Sequence, residues 1–274
     1  MTDTPQTWHY GLVARFWAQI IEQDDYGANH SDCFRRVIAA AGEPILDAGC
    51  GAGRLLLPWL RDGLDVDGCD LSQDMLTHCR ARAEADGLSP NLYQQALHEI
   101  DLPRRYRTIV MCGAIGLGGN RRRDQEALHR CYRHLEPGGV LTLDNDVPWA
   151  GENRWGQWRQ EGREQLPEDW PPAPAAEDRR QFPDGSPYEM CARTVSFDPL
   201  SQVVSLQMRV REFRDDKLVE EEIYPLQTRI YFRDELIDML EQAGFERIEV
   251  YGDYTDKPAT ADDNVHVFIC HRAS

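Results

Sequence analysis

The chain has 274 residues, enough to bury a large core as one α/β domain with an insertion or as one domain plus a small second one. Its 47 acidic and 30 basic residues give a formal net charge of −17, which disfavours nucleic acids and anionic membranes as partners and favours small or cationic substrates. Its 8 cysteines include no close C-x-x-C pair, so we expect no metal site, packing roles for the thiols and a reducing cytoplasmic location.

Short apolar runs alternate with helical stretches from Ile45 onward, as in a parallel sheet with helices on both faces. The predicted strands are Ile45–Ala48, Asp65–Cys69, Asn91–Ala96, Thr108–Cys112 and Val140–Asp144. The helical stretches carry glycine near their ends, the usual helix stop, as in GRLLLPWLRDG, SQDMLTHCRARAEADG, RDQEALHRCYRHLEPGG and RDELIDMLEQAGF. This pattern predicts an α/β fold.

The segment from about Trp149 to Arg180 interrupts that rhythm with tryptophans, prolines and charges, and we expect it to be irregular. Residues 189–232 then alternate apolar and polar side chains with the period of two typical of antiparallel strands, with turns at DPLSQ and RDDK. A helix at Arg233–Ala243 and strands at Arg247–Tyr251 and Val265–His271 complete the prediction.

Three glycines at alternate positions, Gly49, Gly51 and Gly53, follow the first predicted strand in ILDAGCGAGR. Glycines let such a loop adopt positive φ and let a ligand lie against backbone amides at the start of the next helix. A tight turn without a ligand is the alternative. A dinucleotide fingerprint requires glycine or alanine at the sixth position, where this chain has Arg54. The motif therefore indicates a nucleotide-type site of another class.

Two carboxylates flank this loop. Asp47, two residues before the first glycine, would repel a pyrophosphate but could contact an ammonium group, which indicates a cofactor with a positive end. Asp70 lies where the second strand ends, and a carboxylate there can accept hydrogen bonds from both hydroxyls of a ribose. A helix N-cap is the simpler explanation for Asp70.

With these residues the chain resembles the class I S-adenosylmethionine-dependent methyltransferases, of the type that acts on small molecules. The resemblance covers most of residues 8–148 and 226–272 and rests on ILDAGCGAGR, GCDLSQDML, LEPGGVLTLD and an ending that contains AGFERIEVYGD and NVHVFICHR. It implies a doubly wound, mostly parallel seven-stranded Rossmann-like sheet with an inserted antiparallel element that covers the substrate. It also implies S-adenosyl-L-methionine as the cofactor.

The resemblance divides the chain into three parts. Residues 1–40 would form N-terminal cap helices, and residues 41–148 together with 226–274 the cofactor-binding domain. Residues 149–225 would be the insertion, with its irregular tryptophan- and proline-rich segment followed by antiparallel strands.

The resemblance also implies which residues would hold the cofactor. On the methionine side, Gly49 and Gly51 would contact the cofactor, Asp47 would lie near its amino group, and Cys112 at the tip of the fourth strand would face the sulfonium. The other implied contacts are Asp70 on the ribose, Leu71, Met75, Ala96 and Leu97 around the adenine, and Tyr10 and Arg15 from the N-terminal segment. Arg15 would pair with the methionine carboxylate, and simple packing of an amphipathic cap helix is the alternative for that segment.

The substrate side departs from relatives that methylate nucleic-acid or protein amides. Those relatives carry a polar signature at the strand-four tip, whereas this chain has Cys112, Gly113, Ala114 and Ile115. The difference favours an apolar pocket for a small molecule. Trp149, Arg229 and Tyr231 are the predicted wall of that pocket, with ordinary sheet packing as the alternative.

The implied reaction is N- or O-methylation by in-line transfer, in which the protein orients the nucleophile and excludes water. We assign no catalytic base, because a turn explains the candidates Asn145 and Asp146 equally well. Two other functions stay open: a protein of the same fold that binds the cofactor without methylating, and a nicotinamide-dependent reductase, which Asp47 and Arg54 disfavour.

The predicted partner is a small-molecule substrate. We expect no nucleic-acid partner, no membrane span and no signal peptide, because the N-terminal stretch is polar and no window approaches about 18 unbroken apolar residues. A homodimer is one arrangement that the sequence leaves open.

Overall fold

The computed structural model describes residues 9–23, 28–150, 155–175, 179–181 and 185–274. The helices are α1 (Gly11–Gln23), α2 (Ala28–Ala41), α3 (Leu56–Arg61), α4 (Gln73–Ala85), α5 (Arg121–His134), α6 (Gln160–Glu164) and α7 (Arg233–Ala243). The strands are β1 (Ile45–Ala48), β2 (Val66–Asp70), β3 (Asn91–Gln94), β4 (Tyr106–Met111), β5 (Leu135–Asp146), β6 (Arg180–Gln181), β7 (Pro187–Asp198), β8 (Val203–Arg214), β9 (Lys217–Arg229), β10 (Arg247–Gly252) and β11 (Val265–His271). Single 3-10 turns lie at Leu97–Glu99 and Trp155–Trp158.

The larger sheet has seven strands in the order β10-β11-β5-β4-β1-β2-β3. Neighbouring strands from β5 to β3 pair in parallel, and β11 runs antiparallel to both β5 and β10. This arrangement confirms the predicted doubly wound, mostly parallel sheet. Because β1 pairs with β2 on one side and β4 on the other, the strand order reverses between β1 and β4. Ligands of such sheets bind in the crevice at the carboxyl ends of the strands at that point.

Successive residues of β1 pack against helices on opposite faces of the larger sheet. All four residues of this strand are buried. Ile45 packs with Phe34 of α2 and Trp59 of α3, whereas Leu46 belongs to the cluster that contains Leu128 of α5 and Leu236 of α7. A strand buried on both faces is largely apolar, and Asp47 is the one charged residue of β1.

The second sheet is antiparallel, with the order β6-β7-β8-β9. Its connections fall at the predicted turns, since β7 ends at Asp198 and β8 at Arg214. Asp215 and Asp216 both have positive φ, 47° and 58°, which is the backbone of a two-residue hairpin turn matched to the twist of the strands.

Helix α1 lies between the second sheet and the glycine loop. On one side Leu12, Val13, Phe16 and Ile20 pack against Tyr188, Met208 and Val210 of the second sheet. On the other side Ala14 and Ala18, with Trp17 and Ile21, pack against Ala52 and Met75. The packing role predicted for the apolar residues of this segment is therefore confirmed, and α1 connects the second sheet to the loop that follows β1.

Several element boundaries differ from the sequence-based expectation. β2 extends to Asp70, β3 ends at Gln94 and β5 begins at Leu135, before the Pro-Gly-Gly turn. The segment expected to be irregular contains the short helix α6 and a 3-10 turn. Parts of the predicted cap and of the predicted insertion lie outside the described residues, namely residues 1–8, 24–27, 151–154, 176–178 and 182–184. Within the described ranges, no helix is both long and apolar enough to cross a membrane.

Candidate functional site

A cavity of about 520 Å³ opens at the carboxyl ends of β1, β2 and β4. The loop after β1, the end of β2, the loop after β4 and α1 all contribute to its walls, through residues such as Gly51, Asp70, Cys112 and Trp17. The volume lies within the range of sites that hold cofactors and small substrates. The cavity thus occupies the position where a sheet of this topology binds its ligand.

The glycine loop presents bare backbone to this cavity. Gly49 and Gly51 have φ values of 89° and 54°, a region that residues with a side chain rarely adopt. A Cβ at Gly49 would lie 3.1 Å from Cβ of Ala114, and one at Gly51 would lie 3.1 Å from Cε of Met75. The loop is anchored because the Gly49 N–H donates to the carbonyl of Cys69 at 2.7 Å.

Asp70 connects the loop to the next helix. Its Oδ2 accepts from the Gly51 N–H at 2.9 Å, and its Oδ1 accepts from the Ser72 N–H at 2.8 Å. Ser72, not Asp70, caps α4, since its hydroxyl accepts from the Met75 N–H at 3.2 Å. Burial raises the pKa of Asp70, and the N–H groups of Ser72 and Gly51 oppose that rise. Each carboxylate oxygen has a second lone pair for a ligand hydroxyl.

Asp47 lies behind the loop and is not part of the cavity wall. It is 2% exposed, and its Oδ2 has no hydrogen-bond partner among the described residues. Burial raises its pKa to about 7, and the positive charge of Arg54 opposes that rise. A buried carboxylate oxygen without a partner is costly, so a positive group placed in the cavity would interact favourably with Asp47.

Arg54 lines the cavity at the sixth position of the glycine motif. Its Nη1 lies 3.1 Å from Nδ1 of His30, and its Nη2 donates to Sγ of Cys112 at 3.1 Å. Burial and the adjacent guanidinium lower the pKa of His30, while burial raises the pKa of the Cys112 thiol. These two partners are therefore neutral near pH 7, and they hold the guanidinium at the cavity wall.

Asp144 supports this part of the wall from behind. Its carboxylate accepts from the Tyr254 hydroxyl at 2.6 Å, from Sγ of Cys112 at 3.1 Å and from the Gly113 N–H at 2.5 Å. The Tyr254 ring stacks on the His30 imidazole with the ring centroids 3.9 Å apart. The partners of Arg54 are thus held by one buried network, which favours a single orientation of the guanidinium.

The remaining predicted contacts of the adenosine portion also line the cavity, together with Cys112 on the methionine side. They are Leu71, Met75, Ala96 and Leu97. Met75 and Ala96 are buried, which gives this end an apolar surface suited to a flat aromatic group. His98 is a further lining residue here.

Asp124 lies in the first turn of α5 and is a charged wall residue that the sequence did not single out. It is 6% exposed, and it accepts from the Tyr231 hydroxyl at 2.6 Å. Burial raises its pKa to about 6, and the hydrogen bond from Tyr231 opposes the rise. Tyr231 itself is fully buried in the core, so it contacts the cavity only through Asp124.

The N-terminal candidates are placed differently from the expectation. Nη1 of Arg15 donates to Oε2 of Glu212 at 2.6 Å, and Glu212 is 2% exposed, so Arg15 points to the second sheet. Burial raises the pKa of Tyr10, and the nearby charges of Asp70 and Asp74 add to that rise. Neither Tyr10 nor Arg15 is part of the cavity wall. In this structure the Arg15 guanidinium is thus directed to Glu212 and away from the cavity.

The other two members of the predicted substrate wall also lie elsewhere. Trp149 is 37% exposed and its Nε1 donates to the carbonyl of Ala261 at 3.0 Å. Nη2 of Arg229 donates to Oε1 of Gln202 at 2.7 Å and lies 3.5 Å from Oε1 of Glu235. Neither lines the cavity, because both side chains are engaged with the insertion or with the loop before β11.

The aromatic and apolar wall comes from other residues, namely Trp17, Ile21, Ile115 and Leu117. Trp17 and Ile21 are four residues apart on α1 and so share one helix face, which was readable from the sequence.

His9, Arg123 and Asp146 are further polar wall residues. Of the unassigned base candidates, Asp146 reaches the cavity, whereas the Asn145 amide donates to the carbonyl of Tyr231 at 3.0 Å. No cluster of three potential metal ligands occurs among the described residues.

Comparison with protein families matches residues 45–139 to the methyltransferase domain. A curated relative from Streptomyces venezuelae, dTDP-3-amino-3,4,6-trideoxy-alpha-D-glucopyranose N,N-dimethyltransferase, is 32% identical over 128 residues. That match covers 46% of this chain and 51% of the relative, so it spans about half the length of each protein.

Two solved structures share the fold over nearly the whole chain. An S-adenosylmethionine-dependent methyltransferase from Clostridium acetobutylicum ATCC 824 has a TM-score of 0.73 at 17% identity and covers 96% of this chain and 98% of its own. A sugar N-methyltransferase from Streptoalloteichus sp. ATCC 53650 has a TM-score of 0.68 at 18% identity and covers 99% and 98%. At these identities the likeness establishes the fold.

Proposed function

Because this chain is a member of the class I S-adenosylmethionine-dependent methyltransferases by its fold and its domain match, we propose that it methylates a small molecule. The observation that carries the proposal is the pair formed by the glycine loop and Asp70. That pair places bare backbone and a carboxylate on one wall of a single cavity, joined by the Gly51–Asp70 hydrogen bond.

The wall residues fit each part of the proposed cofactor. Asp70 would accept hydrogen bonds from the ribose hydroxyls, and Leu71, Met75, Ala96 and Leu97 would pack around the adenine. Gly49 and Gly51 would contact the methionine portion, with Cys112 at the tip of β4. We assign the methionine carboxylate to Arg54 instead of Arg15, because Arg54 lines the cavity whereas Arg15 is directed to Glu212. Asp47 would attract the amino group through the loop.

When bound, S-adenosylmethionine supplies a methyl group already activated by a sulfonium. The protein then needs to position a nucleophile in line and exclude water. Trp17, Ile21, Ile115 and Leu117 would supply the apolar enclosure, and the rigid loop after β4 would fix the direction of approach. No residue has to take a proton from an amine that arrives uncharged.

We propose an amine as the nucleophile, with O-methylation as the second possibility. Asp146 at the end of β5 is exposed and lines the cavity, where its carboxylate would attract a substrate ammonium, whose proton passes to solvent as the free amine forms. The indole of Trp17 would contact the same cation through its ring face. The named activity of the partly matching Streptomyces venezuelae relative, an N,N-dimethyltransferase, supports this choice.

Two measurements test the proposal. Isothermal titration with S-adenosylmethionine, S-adenosylhomocysteine and NADH should give heat with the first two ligands and none with NADH. Transfer from methyl-labelled cofactor to amine and phenol libraries should then yield a labelled amine. Binding without any labelled product would favour a cofactor-binding protein that does not methylate, and binding of NADH alone would overturn the proposal.

Three further assignments belong to the same proposal. Residues 1–40 would cap the cofactor-binding domain, formed by residues 41–148 and 226–274, and the insertion at 149–225 would cover the substrate. A cytoplasmic location fits eight cysteines that are all free thiols. The acidic net charge supports a small-molecule partner instead of a nucleic acid, and a homodimer would be detected by sedimentation.

A further inference from the structure

A second cavity, of about 400 Å³, lies between α2 and the larger sheet. We call it the α2 groove, and define it by Arg36, Val37 and Ala40 of α2, Arg107 of β4, Val140 of β5, Arg247 and Tyr251 of β10, and Ile269 and His271 of β11. It shares no wall residue with the cavity at the carboxyl ends of the strands.

The strand register places the charged end of the α2 groove at the edge of the larger sheet opposite the cofactor cavity. Arg247 pairs with His271, and His271 pairs with Val140, near the start of the regular β4–β5 pairing. Arg107 lies at the start of β4. The α2 groove therefore extends toward the amino ends of the parallel strands, away from the cofactor cavity.

Positive charge predominates in the α2 groove although the protein as a whole is strongly acidic. Nη2 of Arg36 donates to the carbonyl of Tyr254 at 3.0 Å. Arg107 donates to the carbonyls of Ala41 at 3.3 Å and Pro137 at 3.1 Å. These acceptors are neutral, so neither guanidinium has its charge balanced by a carboxylate within ion-pair distance in the described part of the chain.

The remaining charged residues of the α2 groove do not reverse this balance. Arg247 is paired with Glu249, with Nε and Oε1 2.9 Å apart. Asp256 is the other carboxylate in the wall, so three arginines face two acidic residues. Burial and the Arg247 guanidinium lower the pKa of His271. Its imidazole is therefore neutral near pH 7 and adds a hydrogen-bonding group without charge.

Much of the remaining wall is apolar. Val37 and Val140 are buried, at 7% and 4% exposure, and Ile269 and the side chain of Tyr251 continue this surface along β11 and β10. An anionic group could contact Arg36 and Arg107 while an attached apolar body lies on these side chains. Guanidinium groups bind phosphate, sulfonate and carboxylate oxygens well because they present several donors in one plane.

We propose that the α2 groove binds a small organic anion, an acidic group carried on an apolar or aromatic body. Arg36 and Arg107 select the charge, and the apolar part of the wall selects the body. This site is independent of the cofactor and substrate assigned above, and it stands whether or not the protein transfers a methyl group.

The test uses the fluorescent anion 1-anilinonaphthalene-8-sulfonate and the full-length protein, with saturating S-adenosylhomocysteine present so that the first cavity is filled. We expect a saturable fluorescence increase that inorganic phosphate competes away. Arg36→Gln should weaken probe binding about tenfold through loss of a charge-assisted contact. Ala40→Trp, which fills the α2 groove from an exposed helix position, should abolish it.

Arg35→Gln is the matched control, because Arg35 is the neighbouring residue on α2, pairs with Asp62 and is not part of the wall. It should leave probe affinity unchanged. Equal weakening by Arg35→Gln and Arg36→Gln, no saturable binding to the wild-type protein, or unchanged binding to the Ala40→Trp protein would each overturn the proposal. So would a monomer–dimer shift in sedimentation for the Ala40→Trp variant, since the occupant would then be a second copy of the chain.

Discussion

Oδ2 of Asp70 accepts a hydrogen bond from the backbone N–H of Gly51 at 2.9 Å, although the two residues belong to different strand–loop–helix connections. Its other oxygen accepts from Ser72 at the start of α4. One carboxylate therefore fixes the glycine loop and the adjacent helix before any ligand binds. Asp70 also lines the cavity in which we place the ribose.

Removal of this charge should weaken cofactor binding. We expect Asp70→Asn to reduce the free energy of S-adenosylhomocysteine binding by about 1–3 kcal/mol, the range for hydrogen bonds to a charged group. Isothermal titration measures the change. Asp86→Asn, an exchange of the partner of Arg61 on the protein surface, is the control and should bind normally. Unchanged affinity for Asp70→Asn would count against the ribose assignment.

Arg15 and Arg54 are the two candidates for binding the methionine carboxylate. Comparing ligands with and without the amino-acid portion distinguishes between them. Arg54→Gln should weaken binding of S-adenosylhomocysteine by about 2 kcal/mol, and leave 5′-methylthioadenosine, which has no amino-acid portion, nearly unaffected. Arg15→Gln should leave the affinity for both ligands close to that of the wild type, because Arg15 is paired with Glu212. Weaker binding of S-adenosylhomocysteine by Arg15→Gln alone would instead assign the carboxylate to Arg15.

The raised pKa of Asp47 predicts a pH-dependent stability without ligand. Folded Asp47 keeps its proton up to about pH 7, whereas the unfolded carboxyl releases it near the ordinary value of 3.8. The stability that this proton contributes is complete below that ordinary value and is lost as the pH rises toward 7. Chemical denaturation across this range should show a smaller loss of stability for Asp47→Asn. An identical pH profile for both proteins would contradict the prediction.

Cofactor affinity should rise with pH over the range in which the stability of the free protein falls. A bound ammonium group favours the charged form of Asp47, so binding releases a proton and the affinity for S-adenosylhomocysteine should rise toward pH 7, by at most about tenfold per pH unit. Asp124, whose pKa is about 6, titrates in the same range. The difference between the wild type and Asp47→Asn isolates the contribution of Asp47, and parallel profiles would exclude it.

The Tyr254–Asp144 hydrogen bond should stabilise both the fold and the site. Tyr254→Phe removes a donor from a buried carboxylate and should lower the free energy of unfolding by about 1–2 kcal/mol. Thermal denaturation measures this loss. Tyr251→Phe is the control, since its hydroxyl donates to a half-exposed glutamate, and we expect a change within about 0.5 kcal/mol. Equal effects of both substitutions would argue against a special role for Asp144.

Local patterns predicted the parts of the fold whose signals lie within a short stretch of chain. β1 and α7 coincide with their predicted bounds because an apolar run before glycines and a helical stretch before Gly244 leave little choice. Asp70 was predicted for the same reason, since its position follows from where β2 ends. The hairpin turns around Pro199 and Asp215 also depend on neighbouring residues alone.

The remaining assignments depended on contacts between distant residues. The orientation of Arg15 is set by Glu212, which lies 197 positions away, and Tyr231 is directed into the core by Asp124, 107 positions away. No local pattern reports such pairs. Trp17 was accessible to prediction, because its spacing from Ile21 places both on one helix face, but which face of α1 meets the loop becomes clear only once the second sheet is in place.

Backbone hydrogen bonds join β9, the last strand of the second sheet, to the loop after β4. The Arg229 N–H donates to the carbonyl of Gly116 at 2.8 Å, and the Gly118 N–H donates to the carbonyl of Gln227 at 2.7 Å. A Cβ at Gly116 would lie 2.5 Å from the carbonyl oxygen of Arg229, so the two backbones touch. These contacts hold the end of β9 directly against the loop after β4. Because Leu117 and Gly118 of this loop line the cavity, the second sheet supports part of the cavity wall through its backbone.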